Sequence, residues 1–589
     1  MRHAGRLSRR RFLQGLATMT AVVSGKLGWG LPEIAFAAGN ATQSENAKPG
    51  SSDWEITQAA LNGEIDGYAS RVSVGRGEQI QFFVSTADPT CTIDVFRMGW
   101  YGGLGARRIL PTISCMGTSQ VVPAPDPVTG LVECNWVSAC TITTSSPTDP
   151  TEWPSGVYLA KLTGSSGKQS YIVFTIRDDA RASAILFLCA TNTYQAYNNW
   201  GGKSLYDFNS SGPRAAKVSY NRPYAIDPYG TQLDGAGDFL RRWEYNMVRF
   251  LEHEGYDVAY TTDVDAHMSA QALLPHKGLL IVGHNEYWSW GMRQNIIAAR
   301  DAGVGLGFFS ANNCFWQIRY EPSSATGDAN RTIVCYKDAT TDPYALDTDA
   351  SNDRFVTVQW REAPVNLPEG AFIGVEYGTE PGDGGDIVIE NAASWVCSNT
   401  GLQNGDHLPG LLGYEVDAEV GNQPAGTQRI AHSPMPNTPS MADMTVYTAA
   451  SGAIVFATGS MNFNWGLDGY NAPTLHPNYV NAAAQQMARN VLATMVSTPP
   501  AAPTNLTAKT QAKVVQLAWR DNSTNEISFR IERSLAPASG FAEIASTGGG
   551  VTSYTDSTVS RKTTYYYRVR AATTTQFSAY SNTAQVTVR

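Results

Sequence analysis

A chain of 589 residues has room for about three domains. With 42% hydrophobic and 16% charged residues it is suited to compact folding, which excludes long disordered stretches. A net charge of −9 is small for this length and gives no footing for nucleic acid or an anionic membrane surface as partner.

The N-terminus reads as an address. Ser8-Arg9-Arg10-Arg11-Phe12-Leu13-Gln14 follows the twin-arginine export pattern, with Gln at its last place. A mildly apolar stretch, Gly15–Val23, comes next, and Ala35-Phe36-Ala37 offers small residues for cleavage. Residues 1–37 are therefore expected to be a signal peptide that sends the protein to the periplasm or beyond. No other stretch is long and apolar enough to span a bilayer. The eight cysteines form no Cys-x-x-Cys pair, which argues against a thiolate zinc site. Export permits disulfides, and Cys134 with Cys140 is the pair the spacing suggests, against free thiols.

Residues 52–180 show short alternating strands, such as Ile80–Val84 and Tyr171–Thr175, broken by Gly, Pro, Ser and Thr, and predict a β-sandwich. From 181 to 497 the rhythm changes. Ala184–Cys189 is a continuous apolar run, as in a strand covered on both faces. Helical and strand patterns then alternate: helix 239–254, strand 256–260, helix 268–273, strand 278–282, helix 289–302 and strand 304–310. A strand at 453–457 and a helix at 479–496 close the segment. This predicts a doubly wound, parallel α/β sheet of the amidotransferase-like kind. A Pro-rich linker, 498–503, leads to regularly spaced strands over 504–589. There Trp519, Tyr565–Val569 and Ser578–Asn582 resemble a fibronectin type III module, with Tyr567 expected to pack against Trp519. The fold class is thus multidomain, α/β plus all-β, with the central domain flanked by two sandwiches.

In an open α/β sheet ligands bind beyond the carboxyl ends of the strands. The four expected strand tips are dense in polar and aromatic residues: Asn192–Asn198, Thr261–Asp265, His284–Trp288 and Asn312–Trp316. A loop that only had to turn would use Gly, Asn, Asp and Pro. The third tip puts a base, a carboxylate and a phenol, His284, Glu286 and Tyr287, in one small volume. Taken singly, Tyr287 is equally a core aromatic and Glu286 equally the holder of a helix N-terminus; the combination makes the site. His284, Glu286 and Asn312 are the expected catalytic residues. Tyr194, Tyr197, Asn198, Asp263, Asn313 and Trp316 are expected to line the substrate. The chain has no Gly-x-Ser-x-Gly elbow, His-Glu-x-x-His, Walker loop or Gly-x-Gly-x-x-Gly after the first strand. Water activated by a metal is the natural substitute for an acyl-enzyme.

The middle of the chain, about 53–496, resembles the large (β) subunit of N,N-dimethylformamidase and its relatives. The resemblance is carried by Phe96–Gly103, Tyr194–Asn198, Gly255–Val258, Gly283–Trp288, Gly413–Asp417 and Gly459–Asp468. It implies hydrolysis of a small amide by a ferric ion held by two tyrosines and a glutamate. A hard ferric ion prefers such oxygen donors. Tyr287 and Glu415 would supply two ligands. The second tyrosine stays unplaced: Phe315 stands where the family pattern tends to show Tyr, and Tyr320 and Tyr336 are the neighbouring substitutes.

Three functions follow. The first is an exported, iron-dependent hydrolase of a carbon–nitrogen amide bond acting on a small-molecule amide. The second is a non-catalytic secreted protein that binds glycans or cell surfaces through its Trp and Tyr side chains. The third is a glycoside hydrolase built on Glu286 and Glu415.

Overall fold

The computed structural model describes residues 39–589, apart from 145–152, 227–234, 436–437, 498–499, 512, 574–576 and 589. The expected signal peptide lies outside the described residues. Among those residues strand outweighs helix, and the strands fall into several separate sheets.

The first β-region joins two sheets over one apolar core. Ile65–Ala69, Gln79–Thr86 and Ser138–Thr143 form one. The other is built on Thr90–Met98, Gly156–Gly164 and Gln169–Arg177. Phe82 and Val84 of the first meet Ile93, Tyr158 and Phe174 of the second. The disulfide here joins Cys91 to Cys115, whereas Cys134 and Cys140 are free. Strand pairing decides this. Thr90–Met98 and Ile113–Met116 run antiparallel with Cys91 opposite Cys115, their Cα atoms 5.2 Å apart.

The central sheet has seven strands in the order Val258–Thr262, Ile185–Cys189, Gly278–His284, Gly305–Ala311, Ile454–Ala457, Met441–Thr448 and Gln428–Pro434. The first five are parallel; the last two form an antiparallel hairpin, so the sheet is mixed. Both faces are covered, which is why its parallel strands read as unbroken apolar runs. On one face Met292 and Ile296 of the helix Trp290–Asp301 share a core with Leu279, Ile281, Leu306 and Phe308. On the other the helix Ala482–Val496 lays Met495 against Gly278, Gly305 and Gly307. A helix expected at 268–273 instead spans Asp263–Met268, followed by one 3-10 turn at Ala270–Ala272. Thr262 and Asp265 form a capping box that starts it early, so the polar residues 263–265 are its first turn and not a loop.

The chain leaves Ile185–Cys189 for a neighbour on one side and later returns to Gly278–His284 on the other. The crevice at the carboxyl ends of these strands is the place where such a sheet takes ligands. The C-terminal region is a sandwich of a three-stranded and a four-stranded sheet, with Trp519 and Tyr567 in the shared core.

Candidate active site

A cavity of about 530 Å³ opens at that crevice. Four side chains on three segments build its chemical wall. Gly283 has φ +70°, and a Cβ there would lie 3.1 Å from that of Trp243, so the strand reaches its last residue, His284, through a position suited to glycine. Glu286 follows, its backbone N–H donating to Thr193 Oγ1 at 3.0 Å. Asn312 begins the turn after Gly305–Ala311 in the left-handed conformation that Asn tolerates, and its N–H donates to Asp417 at 2.7 Å. Glu415 arrives on an insertion outside the sheet. That insertion needs Gly413, because a Cβ there would lie 2.3 Å from the Gly382 carbonyl. The hydroxyl of Ser460 accepts from the Gly413 N–H at 3.0 Å, and Asn462 N–H donates to the Gly413 carbonyl at 2.7 Å. Two stretches that carry the family resemblance therefore meet to aim one carboxylate.

His284 Nε2 lies 3.3 Å from Glu286 Oε2, 3.2 Å from Glu415 Oε2 and 3.4 Å from Asn312 Nδ2. Burial opposes charge on this imidazole, but Glu415 and Glu286 override it and hold its pKa well above the ordinary range. Burial likewise works against charge on Glu286, yet His284, Lys337 and a bond from Tyr206 keep its carboxyl below the usual value. Tyr197 and Tyr206 each donate to Glu286, both at 2.8 Å. Burial and the neighbouring Glu286 push both phenols up, so they remain protonated donors. Two acceptors stay unmet: Glu415 Oε2, close to His284 without a well-directed hydrogen bond, and Asn312 Oδ1.

Of the residues expected from the sequence, His284, Glu286, Asn312, Glu415, Tyr197 and Trp316 line this cavity. The others do not. Tyr194 donates to Glu244. Asn198 bonds Gln195 and the Pro223 carbonyl. Asp263 accepts from the Asn192 N–H and from Asn285. Asn313 accepts from Ser310. These four hold the strand tips in shape. Tyr287 is fully buried against Ile318, Ile333 and Cys335. Tyr287 opens the strand Tyr287–Ser289, paired with Trp316–Glu321, and its ring stands behind the cavity wall, edge-on to Tyr197 and Tyr206 with centroids 6.5 and 6.4 Å away. Phe315 brings a ring without an oxygen, and Tyr320 donates to Asn192 instead of lining the cavity. One oxygen donor of the implied three thus faces the cavity. Among the described residues no three His, Cys, Asp or Glu side chains gather as metal ligands. Tyr287 and Phe315 do not supply the two phenols, but Tyr197 and Tyr206 on the cavity wall bring their hydroxyls within 2.8 Å of Glu286, so two tyrosines and a glutamate stand together at other positions than those expected, a donor set of the kind a hard ferric ion prefers.

Sequence reasoning missed Tyr206, Asp238, Arg242, Trp243, Tyr377, Glu380 and Tyr414 on the lining. None follows a strand of the parallel sheet directly, so the strand-tip rule does not reach them. Lys337, whose ammonium stands 3.3 Å over the Tyr206 ring and which burial pushes down to about 8, was missed for the same reason.

No curated protein matches the chain. Among solved structures, a Fn3-like protein from Clostridium thermocellum is 28% identical over 16% of this chain and 96% of its own, with a TM-score of 0.14. The pectate lyase Pel3 from Pectobacterium carotovorum is 23% identical over 14% of this chain and 26% of its own, with a TM-score of 0.13. The model of the family described as N,N-dimethylformamidase beta subunit-like, C-terminal, matches residues 92–480, more than half of the chain and every segment of the cavity wall, and the chain belongs to that family.

Proposed function

We propose that the protein hydrolyses a carbon–nitrogen amide bond in this cavity, giving a carboxylic acid and an amine. The family name supports the reaction class. The observation that carries the reading is a buried imidazole gripped by two carboxylates, with the Asn312 side-chain amide 3.4 Å from it. His284, protonated at neutral pH, is the acid. Glu415 is the base, and the Asn312 side-chain amide orients the substrate. Water attacks the carbonyl carbon while its proton passes to Glu415. The carbon–nitrogen bond breaks as His284 protonates the leaving nitrogen. Glu415 then returns the proton across 3.2 Å to His284, restoring both groups. Glu286, held by Tyr197 and Tyr206, keeps the imidazole in place throughout.

A panel of amides assayed with purified full-length protein tests this. His284→Gln and Glu415→Gln should each lower kcat/KM by about 10²–10⁴, while Tyr287→Phe should retain activity within about threefold, since that phenol does not line the cavity. Stoichiometric iron that is lost together with activity in Tyr287→Phe would overturn the assignment.

Export by the twin-arginine route and a fibronectin type III identity for the C-terminal sandwich are part of the same proposal. They are supported by Ser8–Gln14 and by the Trp519 and Tyr567 core. Replacing Arg9 and Arg10 by Lys should retain the protein in the cytoplasm, read by cell fractionation.

A further inference from the structure

The cavity is walled by rings. Eight of its fifteen lining side chains are Phe, Trp or Tyr, where the whole chain averages 10%. At about 530 Å³ it falls in the range that encloses drug-sized molecules, far more room than the family's namesake amide requires. Most of these rings are already engaged. Tyr206 carries the Lys337 ammonium 3.3 Å over its ring and lies 4.4 Å from Tyr197, tilted by 30°. The Arg242 guanidinium stands over Trp243 and Tyr414, and that of Arg361 over Phe315. Phe208 differs from them. It is 67% exposed, the one exposed large apolar side chain on this lining among the described residues.

That exposure is built into the backbone. Phe208 is the middle residue of the 3-10 turn Asp207–Asn209, and hydrogen bonds pin both of its neighbours. Asp207 accepts from the Arg214 N–H at 2.8 Å and from the Arg214 guanidinium at 3.2 Å. Asn209 donates through Nδ2 to the Tyr197 carbonyl at 3.0 Å, and its own carbonyl accepts from Asn199 at 3.1 Å. The Phe208 ring is thereby held in water beside the site, with its centroid 5.3 Å from Tyr206 and 6.5 Å from Tyr197. Tyr197 in turn lies 5.5 Å from the His284 imidazole, so one ring links Phe208 to the proposed acid. An apolar side chain kept exposed on a ligand-sized cavity is a surface for another apolar group to cover. A second ring covers it best, because ring pairs gain more than the area they bury, and a ring fixed in advance loses little freedom on binding.

We propose that the amide substrate carries an aromatic ring, seated on Phe208 while the amide lies at His284. This rests on the amide-hydrolase reading of the same cavity, but the test reads binding and not turnover. Full-length protein is titrated by calorimetry with benzyl methyl ketone, with its saturated counterpart cyclohexylacetone, and with acetone. Each presents a carbonyl but no carbon–nitrogen bond to cleave. The aryl ketone should bind about three- to tenfold more tightly than the cyclohexyl ketone, although the latter is the more apolar, and acetone should bind more weakly than both. Phe208→Leu, which keeps an apolar side chain, should abolish that preference, and Phe208→Ala should weaken the aryl ketone about tenfold. Because the side chain is exposed, neither replacement should move Tm by more than about two degrees. Equal binding of the two ring ketones, no heat from the aryl ketone at millimolar concentration, or a preference that survives Phe208→Leu would overturn the proposal. Aryl-ketone binding with the expected preference in a protein that cleaves no amide would instead sink the hydrolase reading alone.

Discussion

His284 is held by what surrounds it and not by its own strand. Glu286 sits two residues on, but Glu415 and Asn312 come from remote segments. Losing the imidazole should therefore cost chemistry more than folding: His284→Gln should lower kcat/KM by about 10²–10⁴ and shift Tm by no more than a few degrees. A second buried group, Glu244, makes a prediction about pH. Burial raises its carboxyl from 4.5 to about 8, against the opposing bond from Tyr194. A carboxyl with a raised folded pKa contributes stability that is fully present below its ordinary value and is lost as pH rises toward 8. Melting temperature should fall across that window, and Glu244→Gln, which stays neutral, should flatten the slope. At this scale the sequence was half legible. The types His, Glu and Asn at the strand tips were readable because tips are where side chains meet ligands. The direction of Tyr287 was not, because it depends on a three-residue strand whose pairing with Trp316–Glu321 leaves no local mark.

Among the elements, the Phe96–Gly103 motif looks like chemistry and is a clasp. Arg97, fully buried at the end of Thr90–Met98, makes two bonds of 2.7 and 2.9 Å to Glu252 on the helix Glu244–His253, and a third to Tyr101. It ties the first β-region to the central sheet's helix. Removing one partner strands the other charge inside, so Arg97→Met or Glu252→Gln should cost about 3–5 kcal/mol, measured by denaturant unfolding, while the double replacement should cost less than the sum. The apolar strands were legible as elements because both their faces are covered. The insertion that delivers Glu415 was not. Its short antiparallel pairs, Glu376–Thr379 with Val416–Ala418 and Gly385–Val388 with His407–Leu412, are too brief and irregular to leave a period.

For the molecule as a whole, the disulfide links sequence to compartment. Cys91–Cys115 closes a 24-residue separation, and breaking it by Cys115→Ser should cost about 3 kcal/mol in the oxidised protein. Protein kept in the cytoplasm by the Arg9 and Arg10 replacements should carry both thiols free, read as two extra alkylations by mass, whereas exported protein should not. The separate sheets were legible from changes of rhythm along the chain, since an alternating sheet and a parallel sheet covered on both faces impose different patterns.

The helix Ala482–Val496 carries a practical consequence. Met495 packs against Gly278, Gly305 and Gly307, on the strands that end at His284 and Ala311. Family membership is recognised over 92–480, yet the side chain that seats the middle of the sheet lies past that limit, and the partner sheet Ile65–Ala69 and Gln79–Thr86 lies before it. A chain trimmed to the recognised stretch would open both cores to water. Gene fragments cut at such boundaries would yield aggregates rather than a silent enzyme, and failed expression of a fragment would say nothing about what the intact protein does.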